Sequence, residues 1–325
     1  MMEDNNPIVL PDFSNLHIVV IGDIMTDRYI SGVVRRISPE APVPVLDMET
    51  IENRPGGAAN VAMNLLALGV KVTLISIVGD DAEGELLIDL CSQSDRIHQK
   101  IVKVRGRKTT VKTRVIAVNQ QMLRIDHEDK EDINSTVEGD LVNKLKDLIA
   151  KNKVDGIILQ DYNKGLLTEQ LIRDIISLCK EHNIFSFVDP KEKNFFAYKG
   201  CTVFKPNKKE VRQAVGNFNN NYQEIATIIE SKLQNKVTII TLGKEGIFIQ
   251  KDLTGIKYAT SPRVITDVCG AGDSVISIVS VCYLKGMDLS AIAKVANIAG
   301  GQVCEIPGVA VLNKESIQRE LESEV

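Results

Sequence analysis

The chain has 325 residues, of which 44% are hydrophobic and 25% charged, and its formal net charge is −4. This composition is typical of a globular protein with a sizeable core and excludes a largely disordered chain. The negative charge and an aromatic content of 4% without tryptophan argue against a nucleic-acid-binding protein, which needs basic and stacking side chains.

The start of the chain, MMEDNNPIVL, lacks the pattern of a signal peptide, and the longest apolar run, 275–284, is too short to span a bilayer. We therefore expect a soluble, cytoplasmic protein with no membrane partner. Six cysteines and four histidines show neither a CxxC pair nor a metal-ligand spacing. Free buried thiols are expected, and no metal site built from Cys and His.

Short apolar runs rich in β-branched residues alternate with segments of helical periodicity. The runs are 16–22, 71–78, 156–160, 184–188, 201–204 and 237–243. The helical segments are 58–68, 136–150, 168–182 and 222–233. The alternation predicts an α/β fold with a doubly wound, mostly parallel sheet and helices on both faces. Because no repeat or linker divides the chain, we expect one domain over 1–325.

Polar residues follow these runs at the points where the strands would end. They are Asp23, Asp80, Asp161, Asp189 and Asn207, and Gly243 closes the sixth run. Since ligands bind beyond the carboxyl ends of the strands in open α/β sheets, we expect these residues to border one cleft. A helix cap or a turn is the competing interpretation for each, above all for Asp80.

Two stretches, 28–52 and 101–126, interrupt the alternation of apolar strands and helices. Their polar and apolar residues alternate, as in strands with one solvated face. They predict a small β-sheet beside the main domain that serves as a lid, a dimer surface or both. From Lys100 to Ile125 there are eight basic residues and no acidic one, which indicates an anionic ligand. A solvated basic face on an edge strand is the alternative.

The most informative local pattern is GAGD, from Gly270 to Asp273, in front of an apolar helix. Glycines at a helix start let a phosphate approach backbone N–H groups, and the helix dipole favours its charge. Asp273 on the first turn is suited to accept a proton from an attacking hydroxyl. A glycine-rich helix cap is the simpler explanation of the same residues. Neither a GxxxxGK(S/T) loop nor a complete dinucleotide fingerprint occurs.

A second glycine pair lies near the first crevice. Gly56 and Gly57 stand directly before a helical segment that contains Asn60. Residues without side chains permit close approach of the backbone to a sugar hydroxyl. A plain helix-entry turn explains the pair equally simply.

Two further motifs suit a nucleotide. Asn207 and Glu210, three residues apart, share a helix face that fits phosphates and a hydrated Mg²⁺, or else an N-cap with a solvated Glu. The segment 241–246 ends a strand in a glycine turn. Thr241 and Gly243 are placed there to contact phosphates, unless the turn only closes a hairpin.

Taken together, five motifs resemble those of the ribokinase-like (PfkB) carbohydrate kinases in order and spacing over nearly the whole chain. They are GD at 22–23, RPGGAANVAMNLLALG at 54–69, NKKE at 207–210, TLGKEG at 241–246 and GAGD at 270–273. Narrower stretches, among them GDIMTDRYISG, DYNKG and VDPK, are similar to the D-glycero-β-D-manno-heptose-7-phosphate 1-kinases. Bifunctional members of that group add a nucleotidyltransferase domain with an HxGH motif. That motif is absent here, so we expect a kinase alone.

The resemblance implies a ribokinase-like, homodimeric kinase that uses ATP and Mg²⁺ to phosphorylate C1 of the heptose 7-phosphate, for ADP-heptose and lipopolysaccharide core synthesis. It implies that Asp273 is the general base and that backbone N–H groups of Gly270, Ala271 and Gly272 form an anion hole. The implied ATP-binding residues are Asn207, Lys208, Lys209, Glu210, Thr241, Gly243, Gly246 and Asn297, with Glu210 holding Mg²⁺ through water. The implied substrate-binding residues are Asp23, Gly56, Gly57, Asn60, Arg124 and Lys164.

Two positions depart from the pattern of the family. Cys269 stands where many relatives have Thr, and a thiol near a helix N-terminus is expected to have a lowered pKa. IPGVAVL at 306–312 stands where relatives often have a Gly-Thr-Ser-type stretch near the nucleotide. This second departure leaves the need for a monovalent cation open.

Two other functions compete with the heptose kinase. One is a PfkB kinase for another sugar, such as a fructose phosphate or ribose, which a comparison of kcat/KM values would distinguish. The other is a non-catalytic sugar or nucleotide sensor, which would bind ATP and sugar without releasing ADP. The intact Asp273, NKKE and GAGD motifs argue against the sensor.

Overall fold

A computed structural model describes residues 8–92, 96–118, 120–216 and 220–323. The strands in this part of the chain are β1 His17–Gly22, β2 Ile24–Ile37, β3 Pro44–Gly57, β4 Lys71–Gly79, β5 Ile97–Val104, β6 Val111–Ala117, β7 Gln120–His127, β8 Gly156–Gln160, β9 Phe185–Asp189, β10 Val203–Phe204, β11 Val237–Thr241, β12 Ile247–Lys251 and β13 Thr254–Tyr258. The α-helices are α1 Ala58–Ala67, α2 Ala82–Cys91, α3 Ser135–Lys151, α4 Glu169–Glu181, α5 Lys208–Val215, α6 Tyr222–Leu233, α7 Ala271–Leu284, α8 Leu289–Cys304 and α9 Lys314–Ser323. None of these helices is long and apolar enough to cross a membrane.

The large sheet has the strand order β13-β12-β11-β10-β9-β8-β1-β4-β5. Its pairs are parallel from β11 to β5, and β12 and β13 add an antiparallel edge. One apolar core lies against α1, α7 and α8, and a second lies on the other face against α3, α4 and α6. Strands covered on both faces need uninterrupted apolar residues, and every residue of β1 and β8 is buried. The predicted doubly wound α/β fold is confirmed.

The small sheet has the order β3-β2-β6-β7. Its first hairpin is longer than the predicted stretch 28–52, because β2 and β3 continue into the main domain next to β1 and α1. The second stretch begins at Val111 rather than at 101. Residues 97–104 instead form the edge strand β5 of the large sheet, parallel to β4. An edge strand has a solvated side, so its alternating polarity resembles that of a small exposed sheet.

The carboxyl ends of the central parallel strands converge at one edge of the large sheet. Asp23, Gln160, Asp189 and Lys205 lie at or directly after the ends of β1, β8, β9 and β10, and all four are buried. Asp80 follows β4 but is exposed, as expected of a turn residue. Helix α7 begins at this edge, so the glycine-rich motif faces the polar strand ends.

Candidate active site

Asp273 lies in the first turn of α7 and is 3% exposed. Its Oδ1 accepts hydrogen bonds from Tyr162 Oη at 2.6 Å and Gln160 Nε2 at 3.1 Å, and its Oδ2 accepts one from Asn60 Nδ2 at 2.7 Å. Burial raises the pKa of Asp273 to about 7, although the hydrogen bonds from Tyr162 and Asn60 lower it. A carboxylate with a pKa near neutrality is suited to general-base catalysis.

Asn60 does not have the role expected from the sequence. Its side-chain N–H donates to Asp273, and its Oδ1 is 3.3 Å from the donating Nδ2 of Asn64. The amide is 1% exposed and occupied by these two partners. Asn60 therefore orients the aspartate from α1, and its expected contact with a sugar hydroxyl stays a prediction.

The start of α7 is built for an anion. Gly270 has φ of 77°, a left-handed conformation that glycine adopts without penalty, and it leaves the first turn without a side-chain cap. Beneath it, an added Cβ on Gly272 would lie 3.8 Å from Lys205 Nζ. Lys205 is 1% exposed and forms an ion pair of 3.0 Å with Asp189. The same added Cβ would lie 3.6 Å from Asp189 Oδ2, so the helix start faces the whole Lys205–Asp189 ion pair. The feature that suits an anion is the uncapped backbone N–H groups of this first turn.

A pocket of about 790 Å³ adjoins this helix start. Seven of the eight residues expected to bind ATP line it, together with Ala271 and Gly272 of the expected anion hole. The seven are Asn207, Lys208, Lys209, Thr241, Gly243, Gly246 and Asn297. Apolar side chains, including those of Leu242, Ile265 and Val275, line the same pocket, as a nucleotide base requires.

The turn at 241–246 closes a hairpin, and its contact with phosphates stays a prediction. It joins the antiparallel strands β11 and β12, so it closes a hairpin, and it also lines the pocket. Asn297 contributes to the wall in a specific way: its Nδ2 donates to the carbonyl oxygens of Tyr258 and Ala259. These bonds fix the segment after β13 against α8.

Glu210 is the one expected ATP-site residue that does not line the pocket. It completes a capping box on α5, in which its Oε2 accepts the Asn207 N–H and Asn207 Oδ1 accepts the Glu210 N–H. Its other oxygen is paired with Lys191. Burial, with a further contribution from Asp189, raises the pKa of Glu210.

The described residues contain no group of three or more His, Cys, Asp or Glu side chains that could hold a metal ion. Mg²⁺ in nucleotide sites is bound by one or two carboxylates, by phosphates and by water. Glu210 and Asp189 are close enough to interact, and Glu210 lies beside the pocket residue Asn207. These residues fit a magnesium ion that is bound mainly by ATP and water.

Asp23 was expected to bind the sugar. In the structure its carboxylate accepts hydrogen bonds from the protein backbone. Oδ2 accepts the backbone N–H groups of Tyr162 at 2.9 Å and Lys164 at 3.1 Å, and Oδ1 accepts that of Leu166 at 3.3 Å. Asp23 is 3% exposed. Its observed role is to shape the loop that follows β8.

The sequence did not single out Asp27, a buried carboxylate close to Gly56 and Tyr162. It is buried on β2 and forms an ion pair with Arg114 of β6, which lies 87 residues away in the chain. A Cβ added to Gly56 would lie 2.0 Å from Asp27 Oδ2, so glycine at 56 makes room for this carboxylate. Gly57, with φ of 62°, passes similarly close to the carbonyl oxygen of Asp23. The close approach predicted for the Gly-Gly pair is therefore made to the protein itself.

The two expected phosphate-binding cations have different surroundings. Lys164 is largely buried and pairs with Glu128 at 2.7 Å, and Glu128 also pairs with Lys112 at 3.5 Å. Arg124 is half-exposed on β7 and pairs with Asp126. The basic stretch is thus partly neutralised by the acidic residues that follow it in the sequence.

Cys269 and the 306–312 segment also differ from expectation. Burial and the adjacent Asp267 raise the pKa of the Cys269 thiol to about 11, so the expected lowered pKa was wrong. In the 306–312 segment, the Val309 N–H donates to Tyr29 Oη at 3.1 Å and the Val309 carbonyl accepts from Arg54 at 3.0 Å. This segment therefore contacts the small sheet.

A pocket of nucleotide size next to a helix turn that carries a buried aspartate, at the edge of an open α/β sheet, is the arrangement of a phosphoryl-transfer enzyme. Residues 15–315 match the pfkB family of carbohydrate kinases, and the chain belongs to this family. It is therefore an ATP-dependent carbohydrate kinase.

The chain is also similar to named relatives over most of its length. The chain is 38% identical over 308 residues to the bifunctional protein HldE of Sulfurimonas denitrificans, covering 93% of this chain and 63% of the relative. It is 36% identical over 305 residues to HldE of Helicobacter pylori, covering 92% and 65%. The chain thus spans slightly less than two thirds of the length of these relatives.

Two solved structures share the fold. Phosphofructokinase-2 from Escherichia coli in complex with potassium matches with a TM-score of 0.77 at 20% identity, covering 95% of this chain and 98% of that one. Arabidopsis thaliana ribokinase complexed with ribose and ATP matches with a TM-score of 0.69 at 16% identity, covering 94% and 98%. At these identities the likeness concerns the fold alone.

Proposed function

We propose that the protein transfers the γ-phosphoryl group of ATP to the C1 hydroxyl of D-glycero-β-D-manno-heptose 7-phosphate. The products are ADP and the heptose 1,7-bisphosphate, which serves ADP-heptose and lipopolysaccharide core synthesis. The observation that supports phosphoryl transfer is the position of the buried Asp273 in the same helix turn as Ala271 and Gly272, which line the pocket. The heptose rests on the similarity of the narrower sequence stretches and on the HldE relatives.

In the proposed reaction, Asp273 takes the proton of the C1 hydroxyl through Oδ2, the oxygen with the single protein donor Asn60. The C1 oxygen forms a bond to the γ-phosphorus while the bond from that phosphorus to the β–γ bridging oxygen breaks, and ADP leaves. Gln160 Oε1 is a buried acceptor for which no partner exists among the described residues. A sugar hydroxyl beside Asp273 would satisfy it.

The backbone N–H groups of Gly270, Ala271 and Gly272 would stabilise the charge of the transferring phosphoryl group. Lys208 and Lys209 would contact the phosphates, and Thr241, Gly243 and Gly246 would follow the nucleotide toward Asn297. Mg²⁺ bound with ATP would neutralise the phosphates. Asn207 and Glu210 would orient the water molecules around it.

On the sugar side, we assign Asp27 to a substrate hydroxyl and Lys164, with Lys112 and Arg124, to the 7-phosphate. Four cations, Lys112, Arg124, Lys130 and Lys164, pair with only two carboxylates, Asp126 and Glu128, which leaves two positive charges. A dianionic phosphate would complete this charge balance.

ADP release should be measured with Mg-ATP and each of five sugars: heptose 7-phosphate, fructose 1-phosphate, fructose 6-phosphate, fructose and ribose. We expect the highest kcat/KM for the heptose phosphate. A higher value for another sugar would overturn the substrate while leaving the kinase class intact, and the absence of ADP release with all five would contradict the proposal. The same assay with potassium, with sodium and without either tests the monovalent cation.

Lys164→Met tests the phosphate subsite. We expect a roughly 10- to 100-fold rise in KM for the heptose phosphate, since a charge-assisted hydrogen bond contributes about 1.5–3 kcal/mol. Lys153→Met is the matched control, because Lys153 is 85% exposed and pairs only with Asp155 before β8. An equal KM in both variants would remove Lys164 from the subsite.

We also propose a homodimer formed through the small sheet. Its outer face carries a row of apolar residues in register across four strands, from Ile51 through Ile30 and Val115 to Leu123. Ile51 and Leu123 are each more than half exposed. Such a row on a monomer's surface favours contact with a second copy.

A further inference from the structure

We propose that Tyr162 is a positioning residue that keeps the Asp273 carboxylate ionised, and that the loop after β8 exists to hold its hydroxyl in place. The inference rests on the proposed function, because it assigns Tyr162 a role only through Asp273 as the base. It goes further in naming the residue that adjusts the base to the pH of the reaction.

The contact between the two side chains is short, and Asp273 is buried while Tyr162 is partly buried. Tyr162 Oη lies 2.6 Å from Asp273 Oδ1, the shortest of the three hydrogen bonds that this carboxylate accepts. Burial and the nearby acidic groups raise the pKa of Tyr162 well above its ordinary value, so the phenol is a hydrogen-bond donor near neutral pH. The hydroxyl therefore stabilises the charged form of Asp273.

The backbone on both sides of Tyr162 is fixed by buried carboxylates. Asp23 Oδ2 accepts the N–H of Tyr162 itself, and Asp161 Oδ1 accepts the N–H of Asn163 at 2.8 Å. Asp161 is held in turn by Tyr198, whose hydroxyl donates to Oδ2 at 2.7 Å. This arrangement gives Asp23 a purpose that its buried position otherwise lacks: it holds the loop from which Tyr162 reaches Asp273.

The charges around Asp273 oppose one another, and they include Lys191, which interacts with Asp273 and whose Nζ lies 5.4 Å from the centroid of the Tyr162 ring. Asp189 at the end of β9 raises the pKa of Asp273, and Lys205 after β10 lowers it. Burial is the largest influence and raises it. Gln160 and Asn60 are neutral amides. The Tyr162 hydroxyl is one of the groups that lower the pKa of Asp273. When it is removed, burial and Asp189 raise that pKa further.

The test is the pH dependence of kcat/KM for the sugar in wild type and in Tyr162→Phe. We expect the acid limb of the variant to move to higher pH, with a loss of about tenfold or more at pH 7 that is largely regained at pH 9. Ionisation of ATP or of the sugar phosphate also changes kcat/KM with pH. These changes are the same for both proteins and do not alter the comparison. Far-UV circular dichroism checks that the variant is folded.

Tyr283→Phe is the matched control. Tyr283 also belongs to the region around α7, but its ring packs edge-on against Phe185 and Phe187. Its acid limb should equal that of wild type. A Tyr162→Phe enzyme with an unshifted acid limb, whether active or uniformly slowed, would overturn the inference while leaving the proposed function intact. Turnover in Asp273→Asn would instead contradict the base assignment itself.

Discussion

The surroundings of Asp273 leave its carboxyl group partly ionised near pH 7. Because its pKa in the folded protein is about 7, the fraction able to accept a proton falls as the pH drops below neutrality. We expect kcat/KM of the wild type to decline below pH 7 for this reason. Asp273→Asn should lower kcat at pH 8 by at least about 10²–10⁴-fold, the typical contribution of a general base.

The measurement is steady-state ADP release, with thermal unfolding as the check on folding. Asn has nearly the shape of Asp and can accept the bonds from Tyr162 and Gln160. Wild-type turnover by a folded Asp273→Asn enzyme would remove Asp273 from the role of base.

For single residues, the sequence predicted the neighbourhood but not the partners of the side chains. The sequence located Asp23 and Asn60 near the crevice, but their side chains are occupied by the 162–166 backbone and by Asp273. In the sequence, Asp27 is recognisable only as an acidic residue on a strand of alternating polarity. Its importance became visible only through Arg114 and Gly56, which are distant in the chain. A sequence gives the types of residues near a site, whereas their partners depend on how elements pack.

At the scale of elements, the N-cap residue of α5 has both a structural role and a proposed role in ATP binding. Asn207 Oδ1 accepts the N–H groups of Lys209 and Glu210, each at 2.9 Å, and Asn207 also lines the nucleotide pocket. We expect Asn207→Ala to lower the free energy of unfolding by about 1 kcal/mol, because the helix loses its N-cap. The same variant should have a raised KM for ATP.

Asn207→Ser separates the two effects. Serine caps a helix about as well as asparagine, so the free energy of unfolding should stay close to that of wild type. Its shorter side chain lacks the amide that we assign to the phosphates and magnesium-bound water, so KM for ATP should still rise. Urea unfolding and ATP kinetics measure the two quantities. An unchanged KM in the serine variant would reduce Asn207 to a cap.

The elements themselves were largely predictable. Buried parallel strands and amphipathic helices have distinct periodicities, and the predicted segment 222–233 coincides with α6. The exception is β5, whose exposed edge gave it the polarity pattern of the small sheet. Assignment of a strand to a sheet depends on pairing, and the pattern of one strand does not record its neighbours.

At the scale of the whole molecule, the apolar row on the small sheet determines the expected assembly. Leu123 ends this row and is 56% exposed. We expect Leu123→Lys to convert a dimer into a monomer at micromolar concentration, because a buried lysine would have to lose its hydration in the interface. Sedimentation velocity measures the masses.

Ile256→Lys is the matched control, since Ile256 is similarly exposed but lies on β13 at the far edge of the large sheet. It should keep the oligomeric state of the wild type. A monomeric wild type, or a dimeric Leu123→Lys variant, would contradict assembly through the small sheet.

The sequence by itself determined the α/β architecture and the class of enzyme, and it predicted Asp273 as the base, because these follow from periodicity and from motifs that are local in the chain. The tertiary structure decided which polar groups contact one another. Asp27 with Arg114, Asn60 with Asp273 and Tyr162 with Asp273 are pairs separated by 87, 213 and 111 residues. Hydrogen bonds and burial act over a few ångströms in space, and distance along the chain does not reveal that proximity.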